Sequence, residues 1–354
     1  MSENNNNIGY VNVTSTEIKC PGCGTSIGIH FNPATGTLNC PFCGLSTQLP
    51  TPKNGAFEGE LDFNSALQRA SVDWGCYKKL IICSNCGGQA IYDAEQISGA
   101  CPFCGSTSVT PAAENDRIMA PTAIIPFAFS KEQAQDYFIK FVKKKTLLNK
   151  KALNCKLENI VGIYLPFWTF DTFTASTYNA RRYNGQEAHS DHVTGDWYEI
   201  IDDVLVCASN GVNNPYISKI LDYDFGQVVP YSAKYLAGIP AERYTIGLND
   251  CWEHSKKLIT KKLKKDIHLY NRELGVEDIV TSYYNVKYRY VLAPIYLAQY
   301  KFGHETKPVA INGQTGKTVC DVPTILGRLI VLGAIGMFLA FIIELFFYIL
   351  YYGR

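Results

Sequence analysis

Eight cysteines in the first third of the chain stand in four Cys-x-x-Cys pairs: Cys20/Cys23, Cys40/Cys43, Cys83/Cys86 and Cys101/Cys104. Two residues between thiols let one tight turn present both sulfurs to a single metal, and two such turns complete a tetrahedral four-cysteine zinc site. A Gly follows the second Cys of each pair (Gly24, Gly44, Gly87 and Gly105) and suits the left-handed conformation that closes such a turn. Between the turns lie 16 residues in the first two pairs and 14 in the last two, each span suited to a hairpin leading from one knuckle to the other. The pattern predicts two zinc ribbons in tandem, over 15–48 and 78–112, holding two structural Zn2+ ions.

Four thiolates also limit the chemistry. A catalytic zinc keeps a position open for water or substrate, and a zinc held by four cysteines does not. In so small a module, metal binding is largely the folding free energy. The competing use of paired cysteines is disulfides, which need an oxidising compartment and usually a secretory signal. The segment Met1–Asn7 has neither a basic region nor an apolar stretch; it reads as the start of a disordered leader over 1–14. The remaining cysteines (Cys76, Cys155, Cys207, Cys251 and Cys320) are scattered and read as small buried hydrophobes.

At the other end, residues 329–352 are apolar with one charge, Glu344. About 20 apolar residues span a bilayer, and Tyr348, Tyr351 and Tyr352 would form an aromatic belt. The pattern predicts a transmembrane helix over 326–352. With Lys317 and Arg328 just before it, and ribbons that need a reducing compartment, the expected localisation is the cell membrane, single-pass, with the bulk of the chain cytoplasmic. Glu344 either snorkels to the interface or contacts another membrane helix.

These ends must be joined by a linker, 49–77, with a short helix near Leu61–Ala70, and by a core domain over 117–322. The core reads as a duplication spanning 121–186 and 226–314. In the first half, Ile124–Phe127 leads into a helix with Ser130 as its cap and Gln133 at the capping-box position. The strand Ile163–Trp168 and a β segment reaching Asn184-Gly185 follow. The second half offers Val228–Tyr231, a helix from about Leu248 to Leu269, the strand Val291–Tyr296 and Asn312-Gly313, and Asn-Gly is a strong hairpin signal. From Pro166 to Asn184 and from Pro294 to Asn312 the spacing is 18 residues. The fold class expected is therefore α+β multidomain: two tandem four-cysteine zinc ribbons, a duplicated α+β core domain and one C-terminal transmembrane helix.

Three other features could do chemistry. The helix from Leu248 carries Lys256, Lys257, Lys261, Lys262, Lys264 and Lys265 around an apolar stripe of Trp252, Leu258, Ile259, Leu263 and Ile267; its lysines read first as a solvated face and otherwise as a surface for lipid or nucleic acid. Gly313–Thr318 imitates a phosphate-binding loop, but Ile311 occupies the position of its first Gly and the segment enters a turn, not a helix. His189, Asp191 and His192 could bind a metal, yet stand in a polar loop with no further ligand cluster. No catalytic constellation is visible, and the expectation is a protein without enzymatic activity.

The order of tandem ribbons, Ile124–Phe127, Gly162–Trp168, Tyr235–Gly238, Asn312–Lys317 and a terminal apolar segment resembles a bacterial family of TFIIB-type zinc-ribbon membrane proteins. Some of its members carry the label of primosomal replication-restart helicase. The chain is similar in particular to the ribbon proteins encoded beside phage-shock protein A in Bacillus. The family's metal ligands map onto Cys20, Cys23, Cys40, Cys43, Cys83, Cys86, Cys101 and Cys104. The helicase label fails, since a helicase needs an ATP site with a phosphate-binding loop. The resemblance implies a membrane-anchored adaptor, tethered through 329–352, that docks a cytosolic partner of the band-7 (SPFH) type during envelope stress. The alternative is a membrane-tethered nucleic-acid-binding ribbon protein, disfavoured by a net charge of only +1.

Overall fold

The computed structural model describes residues 18–50, 59–65, 78–85, 88–93, 101–103, 106–111, 119–145, 154–183, 190–209, 214–322, 330 and 333–343. The expected leader, most of the linker, Cys86, Cys104, Asn184-Gly185, His189 and Glu344 with the tyrosine belt lie outside the described residues.

The first ribbon has a sheet of its own, in the order β1 (His30–Asn32), β2 (Thr37–Asn39), β3 (Ser46–Gln48). Every later strand among the described residues belongs to one continuous sheet. Leu61–Asp62 form β4, paired with the long strand at Lys287 and Tyr288, where the sequence suggests the start of a helix. The second cysteine region supplies β5 (Lys78–Cys83), β6 (Gln89–Asp93) and β7 (Val109–Pro111), with β5 between the other two. Then come β8 (Ala123–Ile124) and helix α1 (Lys131–Lys143). The cap of α1 is as the sequence predicts: the Gln133 backbone N–H donates to Ser130 Oγ, and the Gln133 side chain accepts from the Ser130 N–H.

The frame of the molecule is three long strands. They are β9 (Leu157–Tyr183), β10 (Ser190–Cys207) and, after the short β11 (Val229–Pro230), β12 (Ala241–Glu242) and helix α2 (Leu248–Tyr270), the 29-residue β13 (Leu274–Phe302). β14 (Glu305–Asn312) and β15 (Thr318–Cys320) close the edge. β9 runs antiparallel to β13 along nearly its whole length, with β10 on its other side. β8 lies parallel to β13 at Val291–Leu292, and β12 parallel to β9 at Tyr164. Ala241–Glu242 also pair with Ile91 and Ala90, so the strands around Cys83 continue the core sheet.

The sequence writes two environments into each long strand. Ile163–Trp168 and Tyr288–Ile295 are buried at every residue, the pattern of a strand covered on both faces. Tyr164, Tyr288, Tyr290 and Tyr296 are fully buried in this region, and Phe127 packs on Tyr164 and Tyr296 with ring centres 5.0 and 4.7 Å apart. Further along, β9 and β13 alternate, as a strand covered on one face does. α2 provides that cover. Its buried stripe, Cys251, Trp252, Ser255, Ile259, Leu263 and Ile267, has helical spacing. Its lysines flank the stripe, and Lys262 bridges Glu199 of β10 and Asp266.

Two expectations are corrected. The architecture is mostly β, not α+β, because segments read as short strands belong to strands of 27 and 29 residues. Among the described residues no helix is long and apolar enough to cross a membrane. The apolar tail is described at Ile330 and as a helix over 333–343. The transmembrane helix over 326–352, the membrane contact through 329–352 and the single-pass localisation are therefore not supported.

Candidate metal centre

The first knuckle is built by backbone geometry. The Cys20 N–H donates to Thr25 O at 2.8 Å and the Gly24 N–H to Cys20 O at 2.9 Å, with Gly24 at φ 75°. The second repeats it: Cys40 N–H to Leu45 O at 2.9 Å, Gly44 N–H to Cys40 O at 3.1 Å, Gly44 at φ 71°. The β1–β2 hairpin returns the chain so that the two turns face each other. Cys20 Sγ lies 3.5 Å from Cys43 Sγ and Cys23 Sγ 3.6 Å from Cys40 Sγ, and all four sulfurs fall within 4.8 Å of one another. A tetrahedron with Zn–S bonds of about 2.3 Å sets its sulfurs about 3.8 Å apart, so the donor set fits one zinc. Cys20, Cys23, Cys40 and Cys43 would hold it.

The electrostatics point the same way. The backbone N–H of Cys23 is the main influence holding the Cys20 thiol down to about 6. The N–H of Leu45 pulls Cys43 down too, but the Cys20 sulfur and burial outweigh it and leave Cys43 up at about 12. One thiolate forms readily and its charge opposes the next; a dication removes that opposition.

The second cysteine region shows the same backbone signature where it is described. Cys83 N–H donates to Gly88 O at 3.0 Å and Cys101 N–H to Ser106 O at 2.7 Å, again spanning five residues. The Phe103 N–H meets Cys101 Sγ at 3.4 Å, as the Gly22 N–H meets Cys20 Sγ at 3.4 Å. Cys83 and Cys101 are buried. Cys86 and Cys104 lie outside the described residues, so only half of this ligand set has a described position.

Ribbon 1 is fastened to the core. The Phe31 N–H donates to Ala237 O at 2.9 Å, the Phe31 ring meets Tyr235 edge-on at 5.5 Å, and the Tyr235 hydroxyl donates to Pro50 O at 2.7 Å. Gly238, at φ 73°, lies where a Cβ would press on His30. Tyr235–Gly238 is thus a ribbon seat. The Asn312–Lys317 motif is structural as well: Asn312 donates to Ile220 O and accepts the Gln314 and Thr315 N–H groups, closing the β14–β15 turn.

Sequence reasoning missed a charged cluster beneath the long strands. Arg289, only 4% exposed, pairs with Asp203 and lies 3.8 Å from Glu60. Asp171 accepts the Asp203 N–H at 2.6 Å. Glu60, Asp171 and Asp202 bring carboxylate oxygens within 4.8 Å of one another, but the Arg289 guanidinium already supplies the positive charge there, so this is an ion-pair network. Its residues come from distant segments; the one signal was charge inside otherwise apolar strands. His192, from the polar loop singled out in the sequence, lies 4.0 Å from Glu277 at the exposed strand tip.

The fold and site define a β-rich protein with a four-cysteine, zinc-type knuckle pair seated on a large sheet. The chain is similar to the uncharacterized protein YdjG of Bacillus subtilis (strain 168), with 28% identity over 330 residues, covering 88% of this chain and 91% of that protein. No family model matches the chain, and no solved structure matches it.

Proposed function

We propose that the chain is a non-enzymatic zinc-ribbon adaptor that docks a protein partner. The observation that carries this reading is the surface of the first ribbon. The Cys-Pro-Phe-Cys turn holds Phe42 67% exposed, with Ile27 and Leu45 also exposed. A zinc held by the four thiolates beside it has no open position for chemistry. An aromatic displayed on a rigid, metal-fixed turn is a low-entropy anchor for a partner. A second structural zinc, held by Cys83, Cys86, Cys101 and Cys104, completes the reading; the matching five-residue hydrogen bonds at Cys83 and Cys101 support it. The partner class we propose, from the resemblance to ribbon proteins encoded beside phage-shock protein A, is of the band-7 (SPFH) type, acting in envelope stress.

Cross-linking in cells followed by purification of the full chain tests this. A band-7-type protein should co-purify with the wild type and be lost with Phe42→Ser. No protein partner, together with salt-sensitive DNA or RNA binding, would replace this reading with a nucleic-acid one.

A further inference from the structure

Among the described residues, the three long strands leave one apolar sheet face bare. α2 covers one side of β9, β10 and β13; on the other, Ile200 (77% exposed) and Val280 (76%) stand with Tyr198, Tyr284 and Phe173. The register makes them a single patch. Phe173 lies between Ile200 and Tyr284 on its neighbours, Ala175 between Tyr198 and Ser282, and Thr177 between Asp196 and Val280. Phe173 stacks on Tyr198 with an interplanar angle of 11°. Four residues of strand are about 13 Å and three strands about 10 Å across, the footprint of two to three helical turns. An antiparallel sheet commonly leaves its solvated face polar, and this one carries large apolar side chains on both faces.

Charge says what could cover it. Asp196 and Asp278 stand at one end of the patch; Asp202 belongs with the Glu60 and Asp171 carboxylates of the Arg289 network. Neither Asp196 nor Asp278 has an ion-pair partner among the described residues, whereas the basic Arg181 and Lys287 of the same strands are bound to Glu277 and Glu60. A second copy docking through the same face would set acid against acid, and anionic lipid or nucleic acid would be repelled. We propose that this face docks an amphipathic helix of a partner protein, its apolar stripe edged with Lys or Arg. The inference rests on the adaptor reading for the existence of a protein partner, and adds a second surface and the chemistry that fits it.

The test uses the full zinc-loaded chain and two fluorescent synthetic helices with one Leu stripe, edged with Lys in one and Glu in the other. The Lys peptide should bind at least tenfold more tightly than the Glu peptide, and less tightly as salt is raised. Ile200→Ser with Val280→Ser should weaken it at least tenfold, and Asp196→Asn with Asp278→Asn about threefold or more. These side chains are exposed, so the fold is kept. The Thr177 hydroxyl, which donates to Asp196 Oδ1, still finds an amide oxygen in the Asp196→Asn variant. Equal binding of both peptides, or binding unchanged by the Ser pair, overturns the inference. So does a dimer, seen by sedimentation, that the Ser pair dissociates. Phe42→Ser reads the ribbon separately: partner capture that depends on Phe42 but not on the Ser pair defeats only the present inference, and failure to capture any protein defeats the adaptor reading.

Discussion

Cys20 and Cys43 hold their sulfurs 3.5 Å apart across 23 residues, and the hairpin that closes this distance is the same one that seats the ribbon on the core. Phe31, in the middle of β1, is buried in one apolar cluster with Cys20, Cys40 and Tyr235, and its ring meets Tyr235 edge-on. A metal held by these cysteines would therefore be coupled to core packing and would add to the stability of residues far from it.

Phe31→Ala tests that coupling. Truncating a buried Phe costs about 3–5 kcal/mol, and here the loss should appear both in urea unfolding followed by Trp fluorescence and as faster zinc release to a chelator. Unfolding unchanged by Phe31→Ala would mean that the ribbon does not lean on the core.

Gly316→Ala should be costly in a place the sequence presents as a phosphate-loop imitation. Gly316 has φ 73°, and a Cβ there would overlap the Tyr137 ring of α1. Strain and overpacking together predict a loss of about 2–4 kcal/mol, measured by denaturant titration, with no change in zinc content.

Asp171 gives a pH signature. Burial, opposed by the Asp203 N–H and reinforced by the carboxylates of Asp203 and Glu60, pushes its carboxyl from the usual range up to about 7. A carboxyl raised in the folded state favours folding while protonated, and that contribution is lost as pH rises from about 4 through about 7. Asp171→Asn stays neutral and keeps an acceptor for the Asp203 N–H. It should therefore be more stable than the wild type by about 1–2 kcal/mol at pH 8, screening included, with the difference vanishing towards about pH 4. Thermal unfolding curves at both pH values check this; a variant less stable at pH 8 would show that the Asp171 charge is needed by Arg289.

What can be read in the chain is local. The Cys-x-x-Cys turns of the first ribbon, the Ser130/Gln133 cap and the stripe of α2 each depend on residues within a few turns of one another, and each is found, except that Leu258, read as part of the stripe, is exposed. The length of β9 and β13 is not legible. Residues with positive φ at Asn159, Asp203 and Asn285 and register shifts near Ile201 and Tyr284 break the alternation that marks a strand. The Arg289 network needs Glu60, Asp171 and Asp203 brought together by pairing across more than 200 residues of chain (Glu60 to Arg289), which no local pattern encodes. The membrane span suggested by the composition of the tail is not supported: among the described residues no helix is long and apolar enough to cross a membrane.

Metal content is the most direct test of the central claim. The full chain purified without added chelator should carry two zinc ions, each with a four-sulfur shell at about 2.3 Å by X-ray absorption. Cys20→Ser with Cys43→Ser should leave one. A zinc count unchanged by that double substitution, or a shell containing nitrogen or oxygen in the wild type, would contradict the account.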